Sequence, residues 1–326
     1  MADKLRWGIL STGNIAKQFA RGLAVIDDAE LVAVGSRSQA SADTFGDEFN
    51  VPTRHASYEA LAADPNVDAI YIGTPHPFHK ENALLCIDNG KAVLLEKPFT
   101  INAKDTKAVI DAARAKGVFL MEAMWTRFLP AMVKVRELLA EGVIGELRML
   151  NAEFCFRTGA GPEHRLLNPE LGGGGLLDVG IYPIALSYML FGAPQTIASA
   201  AHIGETGVDE QAAMVFQYGD GELAHLSCGI RTPSLMEAAI QGTEGIIKLH
   251  STWWQLQRFT VHKGQDTQDY EFSFKGNGYE YEAMEVANCI RAGKTESDII
   301  PLDESLRMMQ TLDAIRAQWG LTYPME

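Results

Sequence analysis

The chain has 326 residues, of which 47% are hydrophobic and 21% charged, and its formal net charge is −14. That length supports two domains with a core that needs no covalent staple, and that acidity argues against a partner that is nucleic acid or anionic membrane. No signal-peptide pattern opens the chain, no stretch approaches the ~20 apolar residues of a membrane span, and Cys86, Cys155, Cys228 and Cys289 are too scattered for a zinc or disulfide framework. A cytoplasmic protein with four isolated buried thiols is expected.

In chain order, "LRWGIL", "ELVAVGS", "VDAIYIGTP", "AVLLEKP" and "VFLMEAM" are short apolar runs separated by helix-like segments. One of these, "INAKDTKAVIDAARAKG", predicts a helix capped by Asn102 and stopped at Gly117. Strands alternating with helices imply a parallel sheet with right-handed crossovers. After about residue 125 the pattern changes. "AMVKVRELLAEG" predicts a helix. Strand-like runs then dominate: "ELRMLNAEFCF", "QTIASAAHI", "AAMVFQY", "ELAHLSCGI", "MEAAIQG", "IIKLHS" and "RFTVHK". Gly-rich and Asp-rich turns between them suit an antiparallel sheet. A helical insert, "LLDVGIYPIALSYMLFG", and two tail helices complete the set.

The turn after the first strand aligns Ser11, Thr12, Gly13, Asn14, Ile15 and Ala16 with the dinucleotide fingerprint G-x-G-x-x-G/A. Gly13 keeps the position where backbone approaches pyrophosphate, and Ala16 is accepted where helix packs on strand. Ser11 stands in place of the first glycine. A strand-turn-helix with a glycine placed for packing alone reads equally well from these residues. The second strand ends at Ser36 and Arg37, with no acid for a ribose 2′-hydroxyl. A hydroxyl beside a guanidinium suits a 2′-phosphate, so NADP(H) is expected over NAD(H). The alternative is an ordinary solvated arginine.

"EKP" at 96–98 lies just past a strand, where a parallel sheet directs Lys97 toward the ligand crevice. Asp178 and Tyr182 are four residues apart, which places them on one face of a helix. Trp125, Phe154, Phe156 and Trp254 offer an apolar wall for a cyclic diol or a sugar ring, or are core aromatics. His76, His79, Arg157, His164 and Arg165 offer polar contacts. No His/Cys/carboxylate cluster suggests a metal.

The fingerprint variant, "GTPHPFH" at 73–79, "EKP" and "LLDVGIY" at 176–182 occur in this order. Together they resemble the Gfo/Idh/MocA oxidoreductases over nearly the full chain. "WGILSTG", "EAMWTRFLP" and "GGGGLLDVGIYPI" are similar to that family's dimeric dihydrodiol dehydrogenases, with glucose-fructose oxidoreductase and NADP-dependent xylose dehydrogenase nearby. The resemblance implies an α/β fold: a Rossmann domain over 1–124 and an α+β domain over 125–326. The second domain would bind substrate and form a homodimer through an open, mainly antiparallel sheet, and the C-terminal helix would pack back on the first domain. It further implies that Ser11, Thr12, Gly13, Asn14, Ile15, Ser36, Arg37, Thr74, Pro75, His79, Glu96 and Lys97 hold the cofactor. Tyr182 is implied as the proton donor or acceptor and Lys97 as its electrostatic partner. The resemblance places Asp178 near the substrate; with Tyr182 and the candidate aromatic wall of Trp125, Phe154 and Trp254 this gives the expected substrate pocket. Much of the wider family has His where this chain has Tyr182. The implied function is hydride transfer between NADP and a hydroxyl or carbonyl carbon of a sugar or cyclic diol. Sugar–sugar oxidoreduction on a tightly held cofactor, and cofactor sensing without turnover, are the competing readings. Retention of Lys97 and Tyr182 argues against a sensor.

Overall fold

The computed structural model describes residues 4–326. Short strands, β1 (Leu5–Leu10), β2 (Ala29–Gly35), β3 (Thr53–His55), β4 (Ala69–Ile72), β5 (Ala92–Glu96) and β6 (Leu120–Ala123), alternate with helices α1 (Asn14–Leu23), α2 (Gln39–Phe49), α3 (Tyr58–Ala62), α4 (His79–Asp88) and α5 (Ala103–Lys116). The strands lie in the order β3-β2-β1-β4-β5-β6, and every neighbouring pair is parallel. Helices cover both faces of such a sheet, so its central strands read as unbroken apolar runs. Accordingly Trp7, Ile9, Leu10, Ile70, Tyr71, Ile72, Val93, Leu94 and Leu95 are fully buried. Phe19 fixes α1 to the sheet by stacking on Tyr71, with 3.9 Å between ring centroids. Strand order reverses between β1 and β4, which opens a crevice beyond their carboxyl ends. The α5 caps follow the sequence: Asn102 accepts the Asp105 N–H at 2.9 Å, and Gly117 takes φ 64°. Strand β3 was not legible. Its three residues, Thr-Arg-His, are half-buried and carry no apolar signal.

The later strands build a second sheet beside α6 (Pro130–Ala140). They are β7 (Leu147–Cys155), β8 (Thr196–Ile203), β9 (Asp209–Gln217), β10 (Leu223–Gly229), β11 (Ala238–Gly242), β12 (Ile246–Leu249), β13 (Arg258–Lys263) and β14 (Asp266–Glu271). Their order is β14-β13-β12-β11-β7-β10-β9-β8. The β7–β10 pair is parallel and the other pairs are antiparallel. One face is covered: along β9, Ala212, Met214 and Phe216 are buried while Gln211, Ala213, Val215 and Gln217 are exposed. The covering helix is α7 (Ile181–Phe191), which packs on β7 and β10. Polar, exposed β14 had no sequence signal.

The stretch Pro169–Phe191 has the length and apolar character of a membrane span, contrary to the expectation that none would come close. It earns that character as core, since 83% of its most apolar window is buried inside the protein. All four cysteines are free and buried.

Two tail helices, α8 (Glu280–Arg291) and α9 (Leu302–Trp319), complete the chain. Met1–Trp125 with Phe274–Leu306 form one compact unit, and Thr126–Ser273 with Arg307–Glu326 form the other. The sequence suggested a single cut after residue 124. Instead α8 belongs to the first unit, and the second boundary falls inside α9. Within the first unit, Ala283, Val286 and Ala287 of α8 are buried, and Asn277 just before it donates from Nδ2 to the Gln18 carbonyl at 2.9 Å.

Candidate functional site

In the first unit the expected cofactor residues lie beyond the carboxyl ends of β1, β2, β4 and β5, along one edge of the sheet. Ser11 ties three of these ends together. Its N–H donates to the Gly35 carbonyl at 3.1 Å and its hydroxyl to the Gly73 carbonyl at 2.8 Å. It does so at φ 112°, a backbone region where glycine is comfortable and serine is strained. The missing glycine of the fingerprint has thus been replaced by a residue that accepts strain and gains a buried hydrogen bond.

Gly13 stands at the turn before α1. It caps α1 with φ −74° and ψ 179°, a conformation open to any residue, and a Cβ built there meets nothing within 4 Å. Neither backbone geometry nor packing within the unit requires glycine. No side chain caps α1 and no acid stands in its first turn. Bare amides at a helix start, with open space before them, are what a pyrophosphate needs. The residues therefore fit a dinucleotide. Thr12, Asn14 and Ile15 complete this turn, and Thr12 also lines a hollow of about 300 Å³ with Lys17, Ala40, Ser41, Thr44 and Phe45. At the end of β2, Ser36 is buried and Arg37 is exposed, with its guanidinium beside the Tyr58 hydroxyl.

Two expected cofactor contacts face inward. His79 is fully buried, its Nε2 2.8 Å from the Thr74 carbonyl oxygen and its Nδ1 2.9 Å from that of Pro98. Burial pushes its pKa down, while the hydrogen bonds to those carbonyls push it up. His79 thus braces the Thr74–Pro75 loop against the Lys97–Pro98 turn. Glu96 accepts the Tyr71 hydroxyl at 2.5 Å and the Lys97 backbone N–H at 3.0 Å. Beside it lies Glu282 of α8, fully buried, with no hydrogen-bond partner for either oxygen among the described residues. Burial first, and the charge of Glu96 second, hold the Glu282 carboxyl well above the usual carboxylate range. Lys97 itself is half-buried. His76 sits 5.8 Å from His79, ring to ring. Trp125, expected in the substrate pocket, is buried in this unit and stacks on Tyr279 with centroids 4.4 Å apart.

The second unit brings three expected pocket residues together. Phe154, near the end of β7, stacks on Trp254 with centroids 3.4 Å apart and meets Tyr182 at 5.5 Å. Phe156 stands 6.4 Å from Phe154. Asp178 lies in a π turn, Leu176–Gly180, that runs directly into α7. The segment is helical through both Asp178 and Tyr182, and single π turns of this kind recur at functional sites. The Arg165 guanidinium donates to Asp178 Oδ1 at 2.8 Å. Arg157 is exposed and bridges Arg231 through the backbone, and His164 is exposed on the same loop as Arg165.

Sequence reasoning missed Arg127, whose buried guanidinium donates to the Ala185 carbonyl of α7 at 2.7 Å. It also missed Tyr279, Glu282 and Asp209. Glu282 had one usable signal, an acid on the apolar face of a helix. Asp209 had another, an acid opening an alternating strand.

Residues 5–124 match the family model described as an oxidoreductase family with an NAD-binding Rossmann fold, and residues 132–248 match the GFO/IDH/MocA C-terminal domain. The trans-1,2-dihydrobenzene-1,2-diol dehydrogenases of Mus musculus and Homo sapiens are 40% and 38% identical to this chain, each over 99% of both sequences. An aldose-aldose oxidoreductase from Caulobacter crescentus superposes with a TM-score of 0.88 at 23% identity, covering 97% of this chain and 98% of that one. A 3-ketoreductase from Actinomadura kijaniata, solved with NADP, superposes with a TM-score of 0.86 at 24% identity and the same coverage. These two share the fold.

Proposed function

Because this chain belongs to the Gfo/Idh/MocA oxidoreductases, an NAD(P)-binding family, we propose that it is an NADP-dependent dehydrogenase or reductase. Its substrate would be a cyclic diol or a sugar, changed at a hydroxyl or carbonyl carbon. The observation that carries this reading is the Phe154–Trp254 stack with Tyr182 against it. It sets an aromatic wall, suited to a flat or ring-shaped substrate, beside a side chain able to exchange a proton. The two dehydrogenases at 40% and 38% identity act, by their names, on such a diol.

When bound, the nicotinamide supplies or accepts the hydride. The chain's own residues do the rest. The bare α1 amides with Gly13 receive the pyrophosphate, and Ser36 with Arg37 receives the 2′-phosphate. Tyr182 moves the proton at the substrate oxygen. A phenol near its ordinary pKa of ~10 is a ready acid for carbonyl reduction and a poor base for alcohol oxidation. A nearby cation lowers such a pKa by about 1–3 units, which is the role assigned to Lys97. Asp178, oriented by Arg165, takes a hydroxyl of the substrate. A second copy of the chain would cover the open sheet face, where Val215, Leu223 and Ile246 are exposed. Light scattering that returns a monomer mass at micromolar concentration removes that part.

The test is Tyr182→Phe, assayed with trans-1,2-dihydrobenzene-1,2-diol, a set of aldoses and both cofactors. Turnover should fall by at least the ~10²-fold typical of lost acid–base catalysis, with cofactor affinity nearly unchanged. Lys97→Met should also lose turnover, and the double variant should be little worse than the poorer single one. Near-normal turnover in Tyr182→Phe at saturation removes tyrosine from the mechanism.

A further inference from the structure

The glycine run that opens the Tyr182 segment is shaped around an acid from another strand. Asp209 is the first residue of β9 and is fully buried. Its Oδ2 accepts the Leu176 N–H at 2.6 Å, and the Gly175 amide turns to the same carboxylate. Gly174 has φ 120°, and a Cβ there would stand 2.3 Å from Oδ1. A Cβ at Gly173 would meet the carbonyl oxygens of Arg165, Leu166 and Asn168 at 2.8–2.9 Å, and the Tyr323 hydroxyl donates to the Gly173 carbonyl at 2.6 Å. The glycines are there so that the loop can close on Asp209 and on its own carbonyls. Leu176 then begins the π turn that carries Asp178 and continues into α7 with Tyr182.

We propose that Asp209 is a positioning residue for the reaction: by holding the amides at the start of this segment, it fixes where Asp178 and Tyr182 stand. This rests on Tyr182 being the proton-transfer group. Arg165 secures the same frame from the other side, because its guanidinium binds Asp178 while its carbonyl walls in Gly173. Every link lies within the second unit.

The arrangement also has a pH dependence. The groups facing Asp209 are the amides of Gly175 and Leu176, Cys228 on β10, Tyr323 after α9 and Arg316 on α9, which is itself paired with Asp313 and Glu326. Burial pushes the Asp209 carboxyl up to about 7, against the pull of those amides and of Arg316. Protonation converts one acceptor into a hydroxyl, which weakens its hold on the amides.

The probe is trans-1,2-dihydrobenzene-1,2-diol with saturating NADP. Asp209→Asn should lower kcat about 10- to 100-fold, the scale of a small misplacement of reacting groups. Cofactor Kd should stay within about threefold, since Asp209 lies in the other unit from the α1 turn, and kcat should fall by more than KM rises, since Asp178 meets the bound substrate while Tyr182 acts in the transition state. The kcat–pH profile should lose its inflection near 7. Asp209→Ala should be worse than Asp209→Asn, which keeps one acceptor oxygen. Wild-type kcat in Asp209→Asn, or an unchanged neutral inflection, overturns the proposal. Hydrogen exchange provides a readout that needs no substrate. In Asp209→Asn, peptides covering 172–182 should exchange faster while those covering 5–23 do not change. Unchanged exchange at 172–182 also overturns it, whereas failure of wild type to oxidise the diol counts only against the substrate reading. If neither Asp209 variant folds, Gly174→Ala presses on Oδ1 from the opposite side and should reproduce the kcat loss; wild-type kcat there overturns the proposal too.

Discussion

Two turns in this protein lead into helical segments, and they treat the exposed amides in opposite ways. At 11–14 the start of α1 has no side-chain cap, no acid in its first turn and open space in front of Gly13. At 172–176 the start of the Tyr182 segment is closed by the buried carboxylate of Asp209. Both favour an acceptor, best an anion, because the first amides of a helix have no partners within it and carry its positive end. One turn has a resident anion and is structural. The other has no acid in its first turn and open space at Gly13, which suits an anion arriving from solution. Glycine content does not separate them, since the structural turn is the richer in glycine.

The sharpest way to break this contrast is to give the first turn an acid of its own. Gly13→Asp should fold normally, since aspartate is at least as good an N-cap as glycine. Its carboxylate should compete with and repel a bound pyrophosphate. NADPH Kd should rise about 100-fold or more, about 2.7 kcal/mol, with the melting temperature unchanged or higher. Fluorescence titration and thermal unfolding of the same preparation decide it. An unaffected Kd would show that the open amides are not where the phosphates bind.

Arg37→Ala tests a second anion contact on the same edge. NADPH should weaken by about 1.5–3 kcal/mol, as for a charged hydrogen bond, while NADH stays the same. Equal losses for both cofactors, or no initial preference for NADPH, would leave Arg37 as the surface arginine it resembles.

The first unit also buries a carboxyl group, Glu282 in the first turn of α8, with no hydrogen-bond partner for either oxygen among the described residues. Glu282 is fully enclosed beside Glu96, and its pKa is raised chiefly by burial. A carboxyl whose folded pKa is raised leaves stability intact below the ordinary range of ~4.3. That stability is lost as pH rises through the folded pKa, because the unfolded chain ionises first. Glu282→Gln removes the titration. Its denaturation midpoint should gain on wild type as pH rises from about 5 to 8. A difference that does not grow with pH would mean that Glu282 is already ionised in the folded protein.

Much of this was legible because it rests on local periodicity. The buried runs at Trp7–Leu10 and Val93–Leu95, the α5 caps and the alternation along β9 each follow from neighbours in sequence. A family motif named Tyr182, and the aromatics Phe154 and Trp254 stood out as a candidate wall; the structure brings the three together. What stayed hidden depends on distant partners. Asp209 acts on Leu176, and Glu282 lies against Glu96, across separations that no local pattern encodes. His79 and Glu96 sit in the right loops, but which way a side chain turns is decided by carbonyls and hydroxyls from other strands. The resemblance implied that a C-terminal helix returns to the first domain; that α8 and only the start of α9 do so was hidden, since an apolar stripe says that a helix is buried and not against what.

Ser11 offers the finest test of the open turn, because two opposed effects of similar size meet in one residue. Its φ of 112° carries a cost of order 1–3 kcal/mol for a residue with a Cβ. Its hydroxyl bond to the Gly73 carbonyl returns about 1 kcal/mol. Ser11→Ala keeps the strain and loses the bond, so it should destabilise by about 1 kcal/mol. Ser11→Gly loses the bond and the strain together, so its stability should lie within about 1 kcal/mol of wild type, offset by glycine's greater freedom when unfolded. The difference between the two variants therefore measures the strain less glycine's extra freedom when unfolded, about 0.4–1 kcal/mol, and denaturant titrations on both are enough to obtain it. If glycine proves the less stable by that amount, the backbone at 11 has relaxed in the variants. In that case serine is kept for its hydroxyl alone, and restoring the fingerprint glycine should bring no gain in cofactor affinity.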